Sequence, residues 1–424
     1  MPTIGALSCL SAAEGPAAAQ TIDPVEARAA FVEAKQLSDK EGGRLWGRPL
    51  YGPMLFVSSD SRTLVANEAD RNGILHEEDG VWVGTLPPEV VPANTAVHWA
   101  GKHWTMVEWP LPEHSLPRRR LLAHELYHRL QDDLHLPGNN PQNPQLDTLE
   151  GRYWLQLEWR ALAAALITTD AAQTEAIRDA LCFRMHRHRL FAGSAESERL
   201  LELNEGLAEY TGYIASAPDI ASAHWRIEDD LVSPQAMTFV RSFAYSSGPA
   251  YGMLLDDRQP AWRTKLTAQS DLGQLLLAAV GGLALPDAQQ RALVYGGEAL
   301  RISETERAKE TEAQQARYRK LFVDGPTLKL TDAGNFNFSF DPNTVVPLPG
   351  AGNVNPIMEV TDAWGALKAH QGALLAADMK SVTVSAPTEI RGSHITGVGW
   401  ELELAPGWRV ASAGDAKHFV LKNK

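Results

Sequence analysis

Cysteine is almost missing from this chain. Cys9 and Cys182 are the only two in 424 residues, which excludes a disulfide framework and any zinc site built on thiolates. Long apolar runs are missing too. No stretch reaches 18 consecutive apolar residues, so no membrane span is expected. Positive charge is in the minority, with 39 Lys and Arg against 52 Asp and Glu and a net charge of -13. That balance argues against a nucleic-acid partner and against docking on anionic lipid, because both need clustered cations. Two short basic groups, Arg118-Arg119-Arg120 and His186-Arg187-His188-Arg189, read as solvated helix faces. No glycine-rich phosphate loop stands out. Gly281-Gly282 and Gly296-Gly297 are turn signals.

What is present is apolar material for two or three cores, 44% of the chain. The expected fold class is α+β, in three parts behind a tail. Residues 1–23 are read as a tail or a signal remnant. Ala17-Ala18-Ala19-Gln20 looks like a small-residue cleavage site, so export to a periplasm or the exterior is expected, with the cytoplasm as the alternative. Residues 24–112 form a small, mixed, β-rich domain. It opens with a helix over 24–40, capped by Asp23 with Pro24 at N1. Strands follow at Met54–Ser58, Thr63–Ala66, Val81–Thr85, Ala96–Ala100 and Trp104–Trp109, separated by Gly, Asp, Asn and Pro. Residues 113–325 are helical, with helices expected at Leu149–Thr168, Ala171–Phe191, Glu196–Ala215, Ser233–Asp256, Leu272–Val280 and Ser303–Phe322. Residues 326–424 return to strands and read as a C-terminal β sandwich.

The strongest chemical signal is His124-Glu125-Leu126-Tyr127-His128, on a helix expected to be capped by Ser115 and ended by Pro137. Two histidines four apart project from one helical face and can grip one tetrahedral zinc. Glu125 is rotated about 100° from His124 on a helix of 3.6 residues per turn, near the metal without displacing a ligand, where it can act as general base. Leu122, Leu126 and Leu130 fall on the opposite face, facing the core. With 13 His in the chain, such a motif arises by chance only about 0.03 times.

A third ligand is needed. A His six residues after His128 is ruled out, since that position is Leu134, and His135 is two turns too far along. The better candidate lies in Glu202-Leu203-Asn204-Glu205-Gly206-Leu207-Ala208-Glu209-Tyr210, read as a helix. Glu205 would bind the metal. Glu209, one turn on, would accept the free N–H of a ligating His. Glu150 is the rival ligand.

His-Glu-Leu-Tyr-His followed by Asn204-Glu205-Gly206-Leu207-Ala208 resembles the gluzincin peptidases, especially the aminopeptidase N-like group. The resemblance covers roughly residues 115–255 and implies one Zn2+ per chain, held by His124, His128 and Glu205, with Glu125 as base. Tyr245-Ser246-Ser247-Gly248 is similar to the Tyr-x-x-Gly segment of that group, which implies Tyr245 as the oxyanion donor, with Tyr251 as the fallback. The chain departs from the family in two places. Residues 129–204 separate the second and third ligands, where the family has about twenty, and the extra length holds two inserted helices. The Gly-x-Met-Glu-Asn segment that binds a free amino terminus is absent. The strand at Trp104–Trp109 is read as a possible edge for an extended peptide, and Glu108 as an ordinary strand residue. His76, His98, His103, His114, His186 and His188 are read as structural or surface residues.

The implied function is hydrolysis of a peptide or protein by zinc-activated water. The alternatives are a zinc hydrolase of a non-peptide amide or epoxide, and an inactive binding or scaffold protein with a vestigial site.

Overall fold

A computed structural model describes residues 21–282, 284–340, 344–415 and 417–423. The cleavage-site-like alanines and Cys9 lie outside the described residues. The architecture is α+β. The chain divides into two compact units. Unit 1 comprises residues up to Leu146, Trp154–Gln235 and Phe239–Tyr295, and unit 2 comprises Asp147–Tyr153, Ala236–Thr238 and the residues from Gly296 on. The boundary expected near 112 therefore falls inside unit 1, which holds both the β-rich segment and the helices around the motif.

Unit 1 opens with α1, Pro24–Glu41. Asp23 accepts from the Val25 N–H at 2.7 Å, Pro24 fills the first turn, and Gly42 ends the helix in the left-handed region at φ 68°. Six strands follow: β1 Met54–Ser58, β2 Thr63–Ala66, β3 His76–Glu78, β4 Val81–Thr85, β5 Thr95–Trp99 and β6 Lys102–Trp109. They form one sheet in the order β3-β4-β2-β1-β6-β5, with β1 and β6 parallel and the other pairs antiparallel. Strand β1 is buried throughout. Leu55 and Val57 join Leu64, Trp104 and Met106 in one core, while Phe56, on the other face, stacks on Phe31 of α1 at 4.5 Å. The Trp104–Trp109 segment is not an edge. It lies between β1 and β5, and β5 is one of the two edge strands of the sheet.

The helices of unit 1 are α2 Ser115–Gln131, most of α3 Leu149–Ile167, α4 Asp170–Leu190, α5 Ser194–Leu201, α6 Leu207–Ser216, α7 Ile220–Val232, α8 Phe243–Arg258, α9 Leu272–Ala279 and α10 Ala288–Ala292. Three expectations are corrected. His114, not Ser115, holds the cap position of α2, without a side-chain bond. The helix stops at Gln131, before His135 turns to φ 55°, so Pro137 does not end it. The helix expected from Ser233 starts only at Phe243: Pro234 disfavours helical geometry at Ser233, and residues 233–242 run as bends, turns and irregular backbone.

Unit 2 carries α11, Gly297–Phe322, and, among the described residues, a seven-stranded and a six-stranded sheet. The two sheets share one core that includes Leu328, Val382, Val360 and Trp400, as a sandwich requires. Tyr318 and Phe322 of α11 pack with Leu348, Val354 and Leu374. Among the described residues, no helix is long and apolar enough to cross a membrane.

Candidate metal centre

Helix α2 buries Leu122, Leu126 and Leu130 on one stripe and brings His124, Glu125 and His128 to the other. Helix α6 packs against α2 closely enough that a Cβ on Gly212 would sit 3.0 Å from the Arg120 carbonyl oxygen. The segment before α6 is not α-helical. Glu202–Gly206 forms one π-helical turn, wholly buried, and Glu205 sits in it. Gly206 then crosses Gly248 of α8 backbone to backbone. A Cβ on Gly248 would lie 2.3 Å from the Gly206 Cα, so the crossing has no room for a side chain. This contact sets Tyr245, one turn before Gly248, beside Glu205, one residue before Gly206.

The long insertion supports the same turn. Arg184 of α4 forms a bidentate pair with Glu202 at 2.7 and 2.6 Å, both residues buried. Arg187 is also fully buried and bridges Glu158 of α3 and Glu198 of α5, so the basic group at 186–189 is not a solvated face. The carboxylates around it compensate its burial. Tyr251 donates to Glu158 at 2.7 Å inside this network and is fully buried, which removes it as an oxyanion donor. Glu150 pairs with Arg301 of α11, and the metal-binding group at the motif takes Glu205 instead.

His124, His128 and Glu205 converge. Their facing atoms lie 3.1 Å apart (Nε2 to Nε2), 3.4 Å (His124 Nε2 to Glu205 Oε2) and 3.7 Å (His128 Nε2 to Glu205 Oε2). Ligands at about 2.0–2.1 Å on a tetrahedral zinc are spaced by about 3.3 Å, so the donor set and its spacing fit that ion. Both imidazoles are held from behind. The Nδ1 of His124 donates to Glu209 at 2.8 Å, and the Nδ1 of His128 donates to Gln131 Oε1 at 2.6 Å. The amide group of Gln131 donates in turn to the Pro137 carbonyl at 3.2 Å, which fixes its oxygen as the acceptor. With each Nδ1 engaged, both Nε2 atoms face Glu205. Glu209 is itself ion-paired with Arg120 at 2.6 Å.

Desolvation would depress His124, but its bonds to Glu205 and Glu209 and the nearby charge of Glu125 push its pKa up to about 10. Desolvation alone would raise Glu205, yet the bonds from His124, His128 and Tyr245 hold it well below the usual carboxylate range. Burial raises the pKa of Glu125, only partly offset by the two histidines, and its Oε2 has no hydrogen-bond partner. Tyr245 stacks on the His124 ring at 5.6 Å and donates to Glu205 Oε2 at 2.6 Å, and burial raises its pKa well above that of a free phenol.

These groups line a cleft of about 830 Å³ with the β5 residues Thr95 and Ala96, the preceding Asn94, and Arg120, Arg226 and Arg241. Arg241 donates to Glu205 Oε1 at 3.3 Å, a role sequence reading missed because nothing in its local pattern marks it. Glu108 accepts from Ser59 and does not line the cleft. His98 and His103, read as scattered, meet in the same cleft beside Asp132. Their hairpin register was the missing signal. Compared with known proteins, the chain matches no family model, no curated protein and no solved structure.

Proposed function

We propose that the protein is a zinc-dependent metallopeptidase of gluzincin type. The observation that supports this best is the convergence of His124, His128 and Glu205 from two distant segments at zinc-like spacing, with the Glu125 carboxylate buried beside them. When bound, zinc supplies Lewis acidity that makes water nucleophilic near neutral pH and polarises a carbonyl. Glu125, raised in pKa and with a free oxygen, takes the proton of the attacking water and returns it to the leaving amine. Tyr245 stays protonated across the working range and donates to the oxyanion. Arg120 and Gln131 hold their places through Glu209 and His128. The free edge of β5 offers backbone donors and acceptors to an extended peptide along the cleft.

The test compares zinc content and peptide-library cleavage across variants. Glu205→Ala is expected to lose the zinc of this centre. Glu125→Gln is expected to keep it while cleavage falls by about 10²–10⁴-fold. Unchanged zinc in Glu205→Ala, or retained cleavage in Glu125→Gln, overturns the reading.

A further inference from the structure

Strands β5 and β6 form a hairpin whose turn passes through Ala100 and Gly101, both at positive φ. The register makes His98 and His103 direct cross-strand partners, and their rings stack at 3.9 Å with an interplanar angle of 11°. Cross-strand partners project from one face of the pair, so both imidazoles leave the sheet together. They meet Asp132, the residue that ends α2. The Nε2 of His98 lies 3.3 Å from Asp132 Oδ2, and the Nε2 of His103 lies 3.8 Å from the same oxygen. These nitrogen–oxygen separations are close to those of the His124 group, and the donor chemistry is the same, two imidazole nitrogens and one carboxylate oxygen. The rings stack nearly parallel where His124 and His128 meet at 68°, so sharing one ion requires an imidazole to turn about its side-chain bonds. Asp132 lies one helical turn beyond His128, so both groups face one cleft.

An ordinary surface ion pair would need one histidine. Here two stacked imidazoles aim at a single carboxylate oxygen, and two protonated rings at that distance would repel each other.

We infer that His98, His103 and Asp132 form a second divalent-metal site at the rim of the cleft, of the imidazole-rich kind that takes Zn2+. The ion would clamp the free-edge strand β5 to the end of α2. This site does not depend on the proposed peptidase activity.

The experiment titrates metal-stripped full-length protein with Zn2+ alone, by calorimetry and with a competing zinc dye. Wild type is expected to bind two equivalents. His98→Ala/His103→Ala is expected to lose one equivalent and to lose part of the Zn2+-induced rise in Tm. Asp132→Asn, isosteric at an exposed position, is expected to weaken that same equivalent at least tenfold. His124→Ala/His128→Ala is expected to lose the other, with Glu205→Gln as a less disruptive check. Two equivalents in the His98/His103 variant overturn the inference. So does a single wild-type equivalent that only the His124/His128 variant loses, and that result leaves the peptidase centre standing. A single equivalent lost only in the His98/His103 variant supports the rim site and sinks the other.

Discussion

Two histidine clusters flank the end of one helix, and they are built in opposite ways. In the His124–His128–Glu205 cluster the side chains are 7%, 12% and 8% exposed, and the Nδ1 of each imidazole is engaged by an acceptor behind it. In the His98–His103–Asp132 cluster the values are 72%, 23% and 66%, and the rings are held by their mutual stacking and by Asp132, itself exposed. Burial makes uncompensated charge expensive, so the inner cluster keeps its carboxylates paired with histidines and with Arg120 and Arg241. Exposure lets the outer cluster exist as three solvated side chains. The inner group is therefore fixed in position, as the proposed catalysis demands, whereas the outer one is held loosely, as the proposed clamp allows.

The contrast breaks most strongly from below the inner cluster. Arg184→Leu leaves Glu202 buried and unpaired under the π-turn that carries Glu205. A loss of about 3–5 kcal/mol in urea unfolding is expected, with weaker zinc binding at the inner cluster only. A stability within experimental error of wild type would show that the insertion does not support the turn. Tyr245→Phe is expected to lower turnover by about 10²–10³-fold with inner zinc retained. Equal loss of metal and activity would assign Tyr245 to ligand positioning instead. Glu209→Gln is expected to weaken inner zinc by about 10–100-fold and leave the outer titration unchanged, as read by competition with a chelator. The smallest effect belongs to His98→Ala, whose unfolding free energy without metal should stay within about 0.5 kcal/mol of wild type.

Much of this was legible in the chain. Strands β1, β2 and β4 match the expected spans residue for residue, because short apolar, β-branched or aromatic runs bounded by turn formers report local geometry. His124, Glu125 and His128 were legible for a similar reason, since i,i+4 spacing is a property of any helix. Glu205 was found through its Asn-Glu-Gly context, although the fold gives that glycine a further task, the crossing with Gly248. Arg187 was misread because its partners, Glu158 and Glu198, lie on other helices, and burial of a charge depends on partners brought in by packing. Tyr251 was offered as a fallback donor for the mirrored reason, since its sequence neighbourhood resembles that of Tyr245 while its environment does not.

The sequence by itself determined the α+β composition, the helix that carries His124, Glu125 and His128, and the residue types able to hold a metal, because each depends on short-range periodicity and side-chain chemistry. The local motifs favoured Glu205 and Tyr245, and the tertiary structure brings both to the histidines while Glu150 and Tyr251 pair elsewhere; the meeting of His98 and His103 with Asp132 was decided by the tertiary structure alone. Those outcomes depend on a strand register, a glycine crossing and buried ion pairs, which join residues tens of positions apart.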